Sequence, residues 1–346
     1  MRCPRLSELP APPPGRTGWP WTEESPPVPD RLPDGRPWPR VTIVTPSYNQ
    51  GQFIEETIRS VLLQGYPDLE YLVVDGGSSD GSVDVIRKYY RWLAYWVSEP
   101  DRGQAHAINK GFSRSTGDLL AWINSDDFYF PCALDRLAES HLEHPEAILL
   151  ADAERFDDGG QGVWQIRQSN VTFRNLVVRE RERFSWNQPG LVVPRSLFLS
   201  AGPLDEGLRY AFDYDWLCRL TQSAPVCYLG VAVARFRVHA TQKTTAEIPA
   251  ATREDGEVAR RYWEKIPELD ARYMSALHGV RLASVYLGYH PQYARFWDRG
   301  TGIRQLFTTW RRYPRIAFLP DFRRLCLRAV LPKALFRSSP WRSLPG

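Results

Sequence analysis

Two carboxylates, Asp126 and Asp127, stand side by side at the end of the apolar run Leu119-Leu120-Ala121-Trp122-Ile123. Paired carboxylates repel each other unless a cation or a ligand's donors satisfy them. Hard oxygen ligands of this kind hold Mg2+ or Mn2+ on phosphates. Another acidic position, Asp75, opens Asp75-Gly76-Gly77-Ser78-Ser79-Asp80-Gly81. Glycines there let the backbone approach a flat ligand closely. The carboxylate can accept hydrogen bonds from a base N–H or a ribose hydroxyl. Asn49 and Asp101 stand in comparable places after two further apolar runs. Each feature alone is also an ordinary helix cap or turn. Together they mark one kind of boundary, repeated along the chain.

The elements that create those boundaries read as follows. Val41-Thr42-Ile43-Val44-Thr45 is a β-branched run with the character of a buried strand. After Pro46-Ser47-Tyr48-Asn49 a helical stripe follows in Ile54, Ile58, Val61 and Leu62, closed by Gly65 and Pro67. Tyr71-Leu72-Val73-Val74 predicts a second strand, residues 82–90 a helix and Ala94 to Val97 a strand. Residues 103–113 predict another helix, and Leu119 to Ile123 a fourth strand. Such alternation predicts a mostly parallel sheet with helices on both faces. Ligands bind such sheets at the carboxyl ends of the strands. Asn49, Asp75, Asp101 and the Asn124 to Asp127 stretch all fall there.

Composition narrows the class. The 346 residues are 43% hydrophobic and 24% charged, an ordinary globular balance that excludes wholesale disorder. Thirteen Trp, sixteen Tyr and fifteen Phe supply a large core. Mean hydropathy is −0.41 and no apolar run approaches 18 residues, so no spanning helix is expected. Met1 to Pro14 lacks the apolar stretch of a secretory signal. Cys3, Cys132, Cys218, Cys227 and Cys326 follow no pairing or zinc spacing, which fits a reducing cytoplasm. Neither GxGxxG nor GxxxxGK[ST] occurs, so phosphates bound here need a metal and side chains to neutralise them. Residues 1–40 hold twelve of the 29 prolines and predict an extended arm, docked by the aromatic island Gly18-Trp19-Pro20-Trp21.

Several ordered motifs carry a family likeness. Thr45-Pro46-Ser47-Tyr48-Asn49, then Val74-Asp75-Gly76-Gly77-Ser78-Ser79-Asp80-Gly81-Ser82, resembles the opening of the family 2 glycosyltransferases, which have the GT-A fold. The stretch from Glu99 through Asp101, Gly103 and Asn109 to Gly111, and Trp122-Ile123-Asn124-Ser125-Asp126-Asp127, continue the pattern in order. Phe212-Asp213-Tyr214-Asp215-Trp216 and Arg237-Val238-His239 resemble its acceptor-side motifs. The likeness covers residues 40–242. It implies an α/β GT-A (nucleotide-diphospho-sugar transferase-like) fold, with a mostly parallel sheet flanked by helices and a helical C-terminal extension. The implied domains are an arm over 1–39, a catalytic domain over 40–245, and a helical, basic region over 246–346. Within the catalytic domain, 40–128 would form the donor half and 129–245 the acceptor half.

The resemblance also implies an activity. A sugar would pass with inversion from a nucleoside diphosphate of the UDP, GDP or dTDP type to the hydroxyl of a carbohydrate or lipid-linked acceptor. The setting would be bacterial surface polysaccharide or glycolipid assembly. Donor binding would fall to Pro46, Tyr48, Asn49, Asp75, Asp101, Gly103, Asn109 and Asp126, with Asp75 at the base and Asp126 at the ribose. Asp127 would hold Mn2+ or Mg2+, His239 would add a metal or diphosphate contact, and Asp213 would be the general base. Two departures stand out. Ser125 supplies no carboxylate to the metal motif, and Phe212 replaces the glutamate that commonly precedes the base. Trp164, Phe184 and Trp186 are candidates either for sugar stacking or for the core.

The chemistry explains the residue types. Charge grows on a diphosphate as the C1–O bond breaks, and a divalent cation stabilises it. The attacking hydroxyl must lose a proton, which a second carboxylate on the opposite wall can take. Two rival readings remain: a sugar-phosphate nucleotidyltransferase, and a non-catalytic carbohydrate-binding protein on a degenerate fold. The first typically has a Gly-rich basic loop after its first strand, where this chain has Pro46 to Gly51. Finally, net charge is uneven. From Arg295 onward, eleven Arg and Lys333 oppose only Asp298 and Asp321, so this segment is +10 in a chain of net +4. Ile303, Leu306, Phe307 and Trp310 form an apolar stripe there, with arginines beside it. The segment could lie on an anionic membrane surface, peripheral to the inner face, or pack on the catalytic domain. No nucleic-acid motif accompanies the charge.

Overall fold

The computed structural model describes residues 1–157, 163–182, 184–239, 242–289 and 291–330. The chain divides into two compact units. One comprises Met1–Thr172 with Ser185–His239, and the other the described part of Phe173–Phe184 with Ala240–Gly346.

The first unit is built on a nine-stranded sheet. Its first strands and helices alternate: β1 (Val41–Ser47), α1 (Ile54–Leu62), β2 (Leu69–Asp75), α2 (Ser82–Lys88), β3 (Tyr95–Ser98), α3 (Gln104–Phe112) and β4 (Leu119–Trp122). These strands lie in the order β3-β2-β1-β4 and are parallel. Buried on both faces, β1 and β2 need the continuous apolar runs they have. α3 lies close on β1 because residue 111 is glycine: an added Cβ would stand 2.5 Å from a Val44 methyl.

Beyond β4 the chain forms β5 (Phe128–Tyr129), α4 (Ala133–Glu143), β6 (Ile148–Asp157) and β7 (Val163–Ile166). After the short α5 (Phe173–Val177) come β8 (Leu191–Pro194), α6 (Arg195–Ala201), α7 (Phe212–Leu220) and the long β9 (Val226–Val238). The sheet continues β4-β8-β6-β9-β5, and here the direction changes. β8 runs antiparallel to both β4 and β6, β7 pairs antiparallel with β6, and β5 with β9. β6 and β9 are parallel, with a register shift between Leu150 and Ala153. The parallel pattern legible in the sequence therefore describes the first half of the sheet. The second half is mixed, because its strands are joined without regularly alternating crossover helices.

The proline-rich arm is docked along its length, beyond the aromatic island expected from sequence. Cys3, Leu9, Trp21, Val28, Leu32 and Trp38 are all buried. The arm has few N–H donors but many carbonyls, and Arg59 of α1 supplies the missing donors. Its fully buried guanidinium donates to the carbonyls of Pro10 (2.8 Å), Pro20 (3.0 Å) and Trp21 (2.9 Å), and to the Tyr89 hydroxyl (3.1 Å). Five fixed donors suit arginine to this task. The Trp19 indole N–H donates to the Tyr129 carbonyl at 2.7 Å.

The second unit is helical: α5 with α8 (Lys243–Ala246), α9 (Ile248–Arg261), α10 (Ala271–Tyr286), α11 (Arg299–Arg312) and α12 (Pro320–Val330). Its core joins Ala276, Val280, Ala283 and Leu287 of α10 and its end to Leu306, Ile316, Phe322 and Leu325. Glu180 is enclosed beside His278 Nδ1 (3.3 Å) and Arg281 (3.3 Å). Asp255 pairs with both Arg179 (3.2 Å) and Arg281 (3.3 Å). This network fastens a segment from the middle of the chain onto helices far along it. Among the described residues no helix is long and apolar enough to cross a membrane. The part of the basic segment beyond residue 330 lies outside the described residues.

Candidate active site

The parallel half of the sheet aligns its polar strand ends in one row. Ser47 pairs in register with Asp75, and Asp75 with Ser98. The Asp75 carboxylate is fully enclosed and accepts four hydrogen bonds. These come from Gly77 N (3.1 Å), Ser78 N (2.8 Å), Ser78 Oγ (2.5 Å) and Ser98 Oγ (2.7 Å). Asp75 thus shapes the glycine loop from within. The neighbouring Ser47 hydroxyl is buried with no protein partner.

Asn49 works on the same loop. Its backbone has φ of 52°, its N–H donates to Ser78 Oγ (2.7 Å), and its side-chain oxygen accepts from Ser79 N (3.0 Å). Asp80 answers from the other side by accepting from Gly51 N at 2.8 Å. The loops after β1 and β2 are therefore laced together. Pro46 is the penultimate residue of β1. Tyr48 projects from the lacing with 62% of its surface exposed. At Gly76 the walls close in: a Cβ would lie 2.7 Å from Asp101 Oδ2 and 3.3 Å from the Tyr48 ring. Asp101 and Tyr48 therefore approach the Gly76 backbone more closely than a side chain there would allow. Gly103 donates its N–H to Asp101 Oδ1 at 2.7 Å and fixes that carboxylate.

Asn109 is committed elsewhere. Its amide donates to the Leu204 carbonyl (2.9 Å) and Glu206 Oε1 (3.1 Å), while its oxygen accepts from Leu204 N (2.9 Å). Arg102 also pairs with Glu206. Asn109 thus anchors the loop before α7.

The adjacent carboxylates Asp126 and Asp127 have different surroundings. Asp127 is 1% exposed, and both of its oxygens are engaged: Oδ1 by the Arg237 N–H (2.9 Å) and Oδ2 by the Asn124 amide (3.2 Å). Burial and the adjacent Asp126 push its carboxyl well above the usual carboxylate range. Each Asp127 oxygen thus accepts one hydrogen bond at the position from which the sequence expected it to ligate a cation. Asp126 is the less buried member. Its Oδ2 lies 3.0 Å from His239 Nε2, whose ring rests on Phe53 at a centroid distance of 4.9 Å. Among the described residues no cluster of three or more His, Cys, Asp or Glu could hold a metal on its own. The donor set at Asp126 and His239, one carboxylate and one imidazole, fits Mn2+ if a diphosphate and water complete its shell.

Arg237 organises this pair, and the sequence marked it only as the neighbour of His239. Its Nε donates to the Asp126 carbonyl (2.9 Å), and Nη2 pairs with Glu56 at 2.5 Å. The guanidinium lies 4.7 Å from the Phe53 ring centre and 4.6 Å from that of Phe156. α1 adds a further restraint, since Thr57 Oγ1 donates to the Asp127 carbonyl at 2.6 Å. Gln104, the first residue of α3, donates to Asn124 Oδ1 at 2.7 Å. Elements distant in sequence thereby hold one short loop.

Asp213 lies in the first turn of α7, partly exposed, with Ala211 as the N-cap. Its Oδ1 accepts from Tyr214 N at 2.7 Å. The helix is fixed by Trp216, which packs on Trp122 of β4 (5.7 Å) and Phe112 of α3 (6.1 Å). That contact ties α7 to the strand leading into Asp126. Asp215 faces inward and pairs with Arg219 at 3.0 Å. Arg219 also binds the carbonyls of Ala201, Gly202 and Pro203. Of the aromatic candidates for sugar stacking, Trp164 is exposed while Phe184 and Trp186 are half-buried.

A parallel nucleotide-side half-sheet, an antiparallel return and a polar rim at the strand ends define a GT-A glycosyltransferase fold. A fragment of S. aureus TarS has this fold in crystals with UDP-GlcNAc and with UDP. The TM-scores are 0.56 and 0.55 at 17% and 18% identity, covering 84% of this chain and 88% of each TarS chain. At that identity the likeness is one of fold. Residues 42–201 match the family model described as Glycosyl transferase family 2, in agreement with the ordered motifs. An uncharacterized glycosyltransferase of Rickettsia typhi is 26% identical over 215 residues, 61% of this chain and 67% of the relative. TuaG of Bacillus subtilis, named for teichuronic acid biosynthesis, is 35% identical over 108 residues, 30% of this chain and 43% of TuaG. The chain spans only 35% of a related glycosyltransferase from Rickettsia felis.

Proposed function

We propose that this chain transfers a sugar, with inversion, from a nucleoside diphosphate to an acceptor hydroxyl in the assembly of a bacterial surface polysaccharide or glycolipid. The observation that carries the reading is the Asp126 carboxylate, less buried than Asp127 and held 3.0 Å from His239 at the sheet's carboxyl edge. The nucleobase binds beside Tyr48, Gly76 and Asp101, with the exposed Tyr48 ring available to stack on it. Asp75 holds the glycine loop from within. Asp126 and His239 are the residues that would hold Mn2+ or Mg2+, and Asp127 braces them. The cation, when bound, neutralises charge gathering on the departing diphosphate. Asp213 takes the proton of the attacking hydroxyl, and the N-terminal end of α7 favours its ionised form.

UDP-GlcNAc in TarS and the naming of TuaG make uridine nucleotides the first donors to try and surface polymers the first acceptors. Among the described residues the five cysteines are free, which fits work on the cytoplasmic side where thiols stay reduced. A thermal-shift screen of nucleotides and nucleotide sugars with Mn2+, Mg2+ or EDTA tests the reading. Binding to the folded state stabilises it by RT ln(1 + [L]/Kd), about 2.7 kcal/mol at a hundredfold excess over Kd, and so raises the melting temperature. A metal-dependent rise with one nucleoside diphosphate is expected. No rise with any of them, or pyrophosphate release from a nucleoside triphosphate and sugar phosphate, would overturn it.

A further inference from the structure

Six large hydrophobic side chains stand exposed within 28 residues of the helical unit: Ile303, Phe307, Trp310, Phe318, Leu327 and Val330. On α11 they do not form the buried face. Gly302, Leu306 and Thr309 turn into the unit's core, whereas Ile303, Phe307 and Trp310 form an adjacent stripe at i, i+4 and i+7. Trp310 and Phe307 touch each other, with ring centroids 6.0 Å apart. Arg304 and Arg311 follow Ile303 and Trp310 by one residue each, so a basic row runs beside the apolar one. On α12 the pattern recurs. Phe322, Leu325 and Ala329 are buried, and Arg323, Leu327 and Val330 share the outer side. Acidic residues are almost absent here, with only Asp298 and Asp321 from residue 295 onward.

A helix with separate faces for its own core and for an apolar-basic stripe is built to meet two environments. Tryptophan and phenylalanine beside arginine suit the boundary between acyl chains and anionic headgroups. An anionic bilayer meets both rows at once, the arginines with its headgroups and Phe307, Phe318 and Leu327 with its acyl chains. We propose that the outer faces of α11 and α12 dock this unit on an anionic lipid bilayer. The inference uses nothing from the transfer chemistry and stands or falls separately from it.

The test is co-sedimentation of the full chain with sucrose-loaded vesicles of phosphatidylcholine, with and without about a third phosphatidylglycerol. The chain should pellet with the anionic vesicles at low salt and be released by salt, since headgroup attraction is screened. Arg304→Gln with Arg311→Gln should weaken partitioning by roughly 25-fold, about fivefold for each charge near the surface. Phe307→Ser with Trp310→Ser should abolish pelleting. Both residues are exposed, so the melting temperature should hold, and a circular dichroism melt checks that. Wild-type protein left in the supernatant at low salt would overturn the proposal. So would undiminished pelleting of the Phe307→Ser/Trp310→Ser variant. If that variant instead converts an oligomer to monomers and wild type ignores vesicles, the stripe is a contact between copies and the proposal fails.

Discussion

Replacing Arg237 with Gln removes the group that joins the Asp126 loop to α1 and β9. The Arg237 and Glu56 side chains are 9% and 15% exposed, so the pair is largely desolvated. Deleting one partner of such a pair leaves the other charge uncompensated and costs about 3–5 kcal/mol. The lost bond to the Asp126 carbonyl adds about 1 kcal/mol, and the contacts with Phe53 and Phe156 about 0.5–1 kcal/mol each. These terms share one side chain and are not additive, so a total of about 4–5 kcal/mol is expected. The backbone N–H that serves Asp127 is untouched by the substitution. Glu56→Gln alone should cost a similar amount, whereas the double variant should recover about 1–2 kcal/mol relative to the sum of the two. The assay is a thermal melt of all four members of the cycle, together with donor turnover. Because Asp126 loses its carbonyl anchor, kcat/KM should fall by about tenfold or more even where the protein stays folded. A loss below about 1 kcal/mol, additive single variants, or unchanged turnover of Arg237→Gln would refute the argument.

Three further outcomes follow from the same geometry. Asp213→Asn should leave the melting temperature near normal, since Ala211 holds the N-cap, yet lower transfer by roughly two to four orders of magnitude; retention of a tenth of wild-type activity excludes Asp213 as the base. Asp215→Asn should instead cost about 1–3 kcal/mol of stability through its Arg219 pair, with much milder effects on transfer in the protein that remains folded. Asp126→Ala or His239→Ala should abolish the Mn2+-dependent part of nucleotide binding while Asp127→Asn retains it, and titration calorimetry with and without EDTA reads the difference. Glu180 sets an acid limit for the helical unit. Burial alone would raise its carboxyl, but the Arg281 charge, the His278 hydrogen bond and the Arg179 charge hold it down at about 2. A lowered folded-state value stabilises above the ordinary carboxylate range, so about 3 kcal/mol present at neutral pH should be lost between roughly pH 5 and pH 2. Glu180→Gln should remove that slope, and acid melts that are identical for both proteins would contradict it.

Much of the donor side was legible in the linear chain because its determinants are local. A β-branched run followed by Pro46 to Asn49, or by Asp75 to Gly81, specifies both a strand and the loop at its carboxyl end. Parallel pairing then brings Ser47, Asp75 and Ser98 into one row without further instruction. The motifs likewise marked Asp126, Asp213 and His239 as chemically unusual positions. Sequence neighbours alone do not show how differently Asp126 and Asp127 are surrounded. That difference depends on which carboxylate meets the Arg237 N–H, 110 positions from Asp127, and which meets His239. The same holds for Asn109, whose motif pointed to the donor while the fold brings Leu204 and Glu206 to its amide. Arg59 belongs to no motif, and only tertiary contact sets the carbonyls of a proline-rich arm around it. On α11, periodicity found the apolar residues but not their environments. Helical spacing records that Leu306 and Phe307 share one broad face, and only packing against α10 and α12 buries the first and leaves the second in water.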